Sequence, residues 1–270
     1  MNSATRAAQA ELEAKHWSVP PFEVVELSTE VRRRYALVIP VWNEGSRLVN
    51  QLGRTQKWSG ECDVIISDKP STDGSTTLEV LRPLGVRALV TLTAGGGLSA
   101  SLRAAFAYAM TAGYEGVIMV DGNGKDDPEA LPRFTAELDA GIDFVQGSRY
   151  RPGGKAENTP LSRHFLIRFV HAPFFSLLCG YRFTDTTNGF RGYSRKFLTS
   201  PEVNAFRAVF DQYELPYYLS WAAAHKGFAI REIPVTRSYP ATGPIPTKIT
   251  AIRGNWRMLK PLLMLMMRRY

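Results

Sequence analysis

Three short polar segments, each following an apolar run rich in valine or isoleucine, hold the residues of this 270-residue chain best suited to chemistry. Pro40-Val-Trp-Asn-Glu44 sets Asn43 and Glu44 directly after a strand-like run, where they can receive a ribose or a base; a plain helix cap has the same residues. In Ser67-Asp-Lys-Pro-Ser-Thr-Asp-Gly-Ser75 the Asp68 carboxylate can accept a hydrogen bond from a nucleobase N–H, although any turn rich in Asp, Ser and Gly has this composition. The sharpest is Asp121-Gly-Asn-Gly-Lys-Asp-Asp-Pro-Glu129, which packs three Asp, one Asn and one Lys into a loop with two glycines. Oxygen-bearing side chains at 121 and 123 suit a hard divalent cation shared with substrate phosphates, because such ions take only one or two carboxylates from a protein. A capped turn is the alternative, and the concentration of acids at a strand end favours a site. Gly95-Gly-Gly97 is not a G-x-G-x-x-G fingerprint and does not follow the first strand, so it reads as a flexible turn capped by Ser99.

Short strand-like runs must position these segments. They start at Tyr35-Ala-Leu-Val-Ile-Pro40 and continue with Val64–Ile66, Val86–Thr91, Gly116–Val120 and Phe144–Val145. Helix-like stretches alternate with them, near Glu44–Gln56, Asp73–Arg82, Ser99–Thr111 and Pro128–Asp139. Continuous apolar strands separated by helices predict an α/β fold, a mostly parallel sheet covered on both faces. In such sheets ligands sit beyond the carboxyl ends of the strands, where all three segments fall. After Gly147 the pattern changes: Pro160–Leu178 reads as a helix with basic and aromatic faces, Arg191–Ser194 as a short strand, Leu215–His225 as a helix and Phe228–Val235 as a strand. The division expected is a helical arm with an irregular lead-in over 1–34, an α/β domain over 35–240 with a C-terminal elaboration, and a basic amphipathic segment over 241–270.

Taken in order, these segments resemble the GT-A fold glycosyltransferases of family 2, in particular the dolichyl-phosphate mannose synthase-like branch. The resemblance covers Tyr35 to Lys248. Pro40 to Glu44 is similar to the family's opening Pro-x-aromatic-Asn-Glu motif, and Ser67 to Ser75 to its Asp-Asp-Gly-Ser-Thr-Asp-Gly segment, with Asp68 kept. Asp121-Gly-Asn123 stands where the family has Asp-x-Asp, with Glu129 at the spacing of its following Glu. Gly147-Ser-Arg149, Asp185-Thr-Thr-Asn-Gly-Phe-Arg191 and Glu232-Ile-Pro234 match Gly-Ser-Arg, Asp-x-Thr-Ser-Gly-Phe-Arg and Glu-x-Pro. Asn123 replaces a carboxylate, and Lys125 adds a cation where a glutamine is common, so the divalent ion, Mg or Mn, is expected to be weakly held.

The resemblance implies transfer of a sugar from a nucleoside diphosphate donor with inversion at the anomeric carbon. It assigns Pro40, Trp42, Asn43, Glu44 and Asp68 to the nucleotide, Asp121 and Asn123 to the metal, and Lys125 to part of the diphosphate neutralisation. Arg149, Arg191 and Lys248 are candidates for gripping phosphate, since a guanidinium can do so with two bonds. A polyprenyl phosphate or related lipid-linked acceptor needs no strong base; a saccharide hydroxyl, as in surface-glycan assembly, needs one, and Asp185, Asp211 and Glu214 are the acids to hand. A sugar nucleotidyltransferase would want a Gly-rich loop after the first strand, where this chain has Trp42-Asn43-Glu44. A nucleic-acid binder would not place an acidic loop at the ligand edge.

Two cysteines, Cys62 and Cys179, are too few for a secreted disulfide scaffold, and residues 1–16 lack the apolar centre of a signal peptide. The expectation is a cytoplasmic protein, with no bilayer-spanning segment and its oligomeric state open. The net charge of +8 sits wholly between Lys226 and Tyr270, where nine basic residues face one acid, Glu232. That end, with the apolar run Leu262–Met267, is expected to pack on the domain or a second subunit, or to lie on the cytoplasmic face of a membrane of anionic lipid.

Overall fold

A computed structural model describes residues 3–30, 32–240, 264, 265 and 267 of the chain. Its strands are β1 (Phe22–Glu26), β2 (Tyr35–Val41), β3 (Cys62–Asp68), β4 (Val86–Leu92), β5 (Gly116–Met119), β6 (Phe144–Ser148), β7 (Lys155–Glu157), β8 (Arg191–Ser194), β9 (Ile230–Pro234) and β10 (Thr236–Ser238). The helices are α1 (Ser3–Ala14), α2 (Ser46–Thr55), α3 (Leu78–Leu81), α4 (Leu98–Thr111), α5 (Leu131–Asp139), α6 (Leu161–Phe165), α7 (Ala172–Cys179), α8 (Arg195–Leu198) and α9 (Glu214–His225). Eight strands form one sheet in the order β1-β4-β3-β2-β5-β8-β6-β9. β4, β3, β2 and β5 run parallel, as do β6 and β9; β8 runs against β5 and β6, and β1 against β4.

The central strands are apolar throughout because both faces are covered. Ala36, Val38 and Ile65 face a core with α4 and α9, whereas Leu37, Ile39 and Ile66 face one built with Leu48 and Leu52 of α2 and Leu131 and Phe134 of α5. Most of α4 is buried, and its alanines at 104, 105, 107 and 109 let it lie close to the sheet. β8, entering between β5 and β6, turns the loop before it back to the edge where the parallel strands end.

Three expectations change. The lead-in before Arg34 is not irregular: β1 pairs with β4 as an edge strand, and the Val24 N–H donates to the Thr5 hydroxyl of α1 at 2.9 Å. The arm thus shares the domain's core through Ala8 and Leu12. The helix expected over Asp73–Arg82 shrinks to α3, because Asp73 and Ser75 form a tight hydrogen-bonded turn instead. The stretch from Pro160 is α6, a π-helical turn over Leu166–His171, then α7, whose Pro173 has no N–H to give the preceding turn. Lys248 lies outside the described residues, as does most of the basic C-terminal segment; of its apolar run, Leu265 is buried in the core shared with α4 and α9. No helix among the described residues is long and apolar enough to cross a membrane.

An arm that is part of the core has a measurable consequence. Leu12→Ala should lower global stability by about 2–5 kcal/mol, read as a shifted midpoint of a single denaturant transition; an unshifted midpoint would mean the arm folds apart from the domain.

Candidate active site

The ends of β2, β3, β5, β6 and β9 open onto one edge, which the 184–190 loop also reaches. At the β2–β3 end the two loops are stitched together. Asn43, at φ 51°, accepts the Thr72 N–H on Oδ1 at 2.7 Å, and its own N–H donates to Ser71 Oγ at 3.0 Å. The Gly45 N–H donates to Asp73 Oδ2 at 2.7 Å. Asp68 is buried and accepts from the Ser71 hydroxyl at 2.7 Å. Asn43 and Asp68 therefore shape the rim itself. Trp42 stands 45% exposed on it, with Lys69 Nζ 4.4 Å from its ring centroid, and Glu44 pairs with Arg47 at 3.0 Å. Pro40, next to the last residue of β2, lies beside the loop after β5, and its carbonyl would lie 2.9 Å from a Cβ at 122, so that position requires glycine.

The loop after β5 carries the acids. Asp121 Oδ2 receives Arg237 Nη2 at 2.9 Å and Asn123 Nδ2 at 3.4 Å. Nη1 of the same guanidinium donates to Asp126 Oδ2. Burial pushes the Asp121 carboxyl up, yet Arg237 and then Lys125 hold it below the usual carboxylate range; burial wins at Asp126, which is raised. Lys125 packs with Nζ 4.9 Å from the Tyr239 ring centroid, and burial, then Arg237, lowers its ammonium to about 8. The carboxylate of Asp121 and the amide oxygen of Asn123 are donors a magnesium- or manganese-like ion accepts. With one carboxylate, and that one shared with a guanidinium, they fit a weakly held cation.

Two arginines expected to contact phosphate are held by partners within the fold. Arg149 is buried and bidentate to Asp185, with Nε to Oδ2 at 2.6 Å and Nη2 to Oδ1 at 2.9 Å. Arg191 is also buried and donates to the carbonyls of Asn188, Thr186 and Pro216, clamping the 184–190 loop to α9. These partners take Nε and Nη2 of Arg149 and all three nitrogens of Arg191. Asp185 is fully buried; burial raises its carboxyl, but Arg149 overrides this and holds it below its ordinary range, so it is not placed as a base. Glu232 holds the same loop, accepting the Thr184 N–H at 2.9 Å, the Thr184 hydroxyl at 2.8 Å and the Asp185 N–H at 3.2 Å.

The other two candidate bases sit at the start of α4. Glu214 Oε2 accepts the Asp211 and Gln212 N–H groups at 3.1 and 2.6 Å, and Asp211 Oδ1 accepts the Gly97 N–H at 3.2 Å. A Cβ at Gly97 would meet the Asp211 carbonyl at 2.6 Å, so that glycine serves close packing. Two residues escaped the sequence reading. Arg237 carries no motif beyond lying three residues past Pro234. His171 donates to or accepts from Thr186 Oγ1 at 2.6 Å through Nδ1, and burial lowers its imidazole to about 4.

Residues 36–200, more than half of the chain, match glycosyl transferase family 2. The chain belongs to glycosyl transferase family 2. Among relatives of this family 2 glycosyltransferase, polyprenol monophosphomannose synthase of Mycolicibacterium smegmatis is 30% identical over 76% of this chain and 77% of that protein. Undecaprenyl-phosphate mannosyltransferase of Micrococcus luteus is 30% identical over 75% of this chain and 83% of its own. Among solved structures, glucosyl-3-phosphoglycerate synthase from Mycobacterium tuberculosis, crystallised with Mn2+, UDP and glucosyl-3-phosphoglycerate, superposes with a TM-score of 0.62 at 17% identity, over 88% of this chain and 80% of that one. The family 2 glycosyltransferase has the GT-A fold, a mostly parallel sheet flanked by helices.

Two expectations follow from the clamp. Asp185→Ala leaves the Arg149 guanidinium buried without its partner and should cost about 3–5 kcal/mol, measured by denaturant unfolding; a loss below about 1 kcal/mol would place the pair in solvent. His171, kept neutral in the fold, binds its proton only near pH 4, whereas the unfolded chain binds it near 6.5. Its stabilising contribution is therefore complete above pH 6.5 and declines as pH falls toward 4, by roughly 3 kcal/mol in all. His171→Gln should flatten that part of the stability–pH curve.

Proposed function

We propose that this glycosyltransferase moves a hexosyl group, mannose being the first to test, from a nucleoside diphosphate sugar to a polyprenyl phosphate at a membrane surface. One observation carries the acceptor. The helical stretch from α6 to α7 carries an apolar stripe that stands exposed among the described residues: Leu161, Phe165 and Phe169 at intervals of four, then Leu166, Val170 and Phe174 at the same interval, then Leu177. Leu161 is 86% and Leu177 83% exposed. So continuous a stripe of large apolar groups marks an interaction face, and exposed Arg168 beside Phe169 suits anionic headgroups. The names of the two relatives, both polyprenyl-phosphate mannosyltransferases, support the same reading. The expected contact through the basic C-terminus lies outside the described residues.

The first turn of this stretch leads to the acidic loop. Arg163 Nη1 donates to the Tyr239 hydroxyl at 3.2 Å, on the ring that Lys125 also faces. Lys125 and Arg163 both face Tyr239, between the apolar stripe and the acidic loop, and we assign them to the acceptor phosphate and the departing diphosphate. Trp42 would stack on the base, with Asn43 and Asp68 holding its rim rigid. A divalent cation held by Asp121 and Asn123 would neutralise the diphosphate charge.

In this mechanism a phosphate oxygen of the lipid attacks the anomeric carbon from the face opposite the nucleotide. The new carbon–oxygen bond forms as the bond to the diphosphate oxygen breaks and takes its electron pair with it, so the configuration inverts. The attacking oxygen is already anionic and no base is needed. That agrees with the carboxylates at this edge, where Asp185 is committed to Arg149, and Glu232 and Glu214 to N–H groups.

Purified protein incubated with GDP- and UDP-hexoses should glycosylate polyprenyl phosphate and not the unphosphorylated polyprenol. Transfer to an oligosaccharide hydroxyl in the absence of lipid phosphate would overturn the reading. Asp121→Ala should reduce turnover on the order of 100-fold or more with the cooperative fold retained, as read by a single thermal transition. The double substitution Phe165→Ser with Phe169→Ser should abolish co-sedimentation with anionic vesicles and raise KM for the lipid acceptor while leaving nucleotide affinity unchanged.

A further inference from the structure

Asp121, Asp126, Lys125 and Arg237 form a charge-balanced quartet before any ligand arrives. Asp121 and Asp126 supply two negative charges, and Lys125 and Arg237 supply two positive ones. Arg237 is not a passing surface side chain: it is 5% exposed, and its backbone is tied to the loop it pairs with. The Asp127 N–H donates to the Thr236 carbonyl at 3.1 Å, and the Ser238 N–H to the Lys125 carbonyl at 2.8 Å. The two arms of its guanidinium are unequal. Nη1 is bound to Asp126, which is wholly buried, while Nη2 is bound to Asp121, whose side chain is 30% exposed at the mouth of the site.

We propose that Arg237 and the divalent cation compete for Asp121, so that the cation enters with the nucleoside diphosphate rather than ahead of it. This rests on the reading of the edge as a nucleoside diphosphate site. A cation arriving alone would bring two charges into this balanced quartet, one of whose carboxylates is paired and the other buried. A nucleoside diphosphate sugar brings two negative charges of its own, so cation and donor together leave the balance unchanged. Displacement involves only the Nη2 arm. Asp126 keeps Nη1, so Arg237 pivots instead of leaving, and the freed Nη2 becomes a donor for the diphosphate that came with the metal. Arg237 is in this sense a positioning residue for the metal, holding Asp121 in place until it is needed.

Calorimetric titration with Mn2+ alone tests this without turnover. Wild-type protein should bind Mn2+ weakly and gain at least about tenfold in affinity when GDP or UDP is present. Arg237→Gln alone strands the Asp126 charge, so the companion variant Asp126→Asn with Arg237→Gln, which removes both buried charges, is measured beside it with a thermal melt to verify folding. That folded double variant should bind Mn2+ at least about tenfold tighter than wild type with no nucleotide, and adding Asp121→Ala should abolish the gain. Equal Mn2+ affinity in wild type and the double variant would overturn the competition. If the variant binds Mn2+ more tightly but neither GDP nor UDP alters Mn2+ affinity in any protein, the competition stands and the donor assignment fails.

Discussion

One buried ion pair, Arg149 with Asp185, organises the edge on which this glycosyltransferase works. The loop from 184 to 190 has no ladder of its own, yet it must lie buried between β6, β8, α7 and α9. Each of its polar groups then needs a partner, because a buried unpaired charge costs several kcal/mol. Arg149, arriving at the end of β6, satisfies the Asp185 carboxylate; Glu232 of β9 satisfies the N–H groups of Thr184 and Asp185; His171 meets Thr186; and Arg191 gathers three carbonyls. Four elements are thereby locked around one loop. Gly189 in it passes so close to Asp121 that a Cβ there would meet Oδ1 at 2.6 Å, which couples the clamp to the acidic loop.

The same edge joins two environments that a soluble fold ordinarily keeps apart. On one side lies a set of charges, with Asp121 and Asp126 paired to Arg237, and Lys125 and Arg163 facing the Tyr239 ring. On the other, only a helical turn away, large apolar side chains stand in solvent. Exposing them works against solubility, and the surrounding core gives no compensation for it. A substrate with an anionic head and a long hydrocarbon tail would satisfy both environments at once, which a free saccharide would not.

Much of this was legible in the chain itself. Val38, Ile39, Ile65 and Ile66 are buried on both faces of the sheet, so their continuous apolar runs announced parallel strands, and the three polar segments that follow such runs could only emerge at the carboxyl edge. The ordered motifs from Pro40 to Pro234 identified the family for the same reason: they are local in sequence, and each reports on one strand end. Residues in β1, β7 and β10 were less visible because short edge and flap strands have no periodicity long enough to read.

Tertiary structure alone decided what the charges do. An arginine in sequence is a cation with five donors, and nothing in its neighbours says whether those donors meet a phosphate or a carbonyl. Arg149 and Arg191 read as phosphate ligands and are internal clamps, while Arg237, unremarked in the sequence, closes on Asp121 and Asp126 across more than a hundred residues. The physical reason is that hydrophobic burial is a property of a residue and its period along the chain, whereas an ion pair exists only between two groups that the fold has brought within about 3 Å. Composition and spacing determined the sheet, its carboxyl edge and the family; contact between distant segments determined which carboxylates share a guanidinium, which acid is buried in an ion pair, and which apolar side chains among the described residues stand exposed.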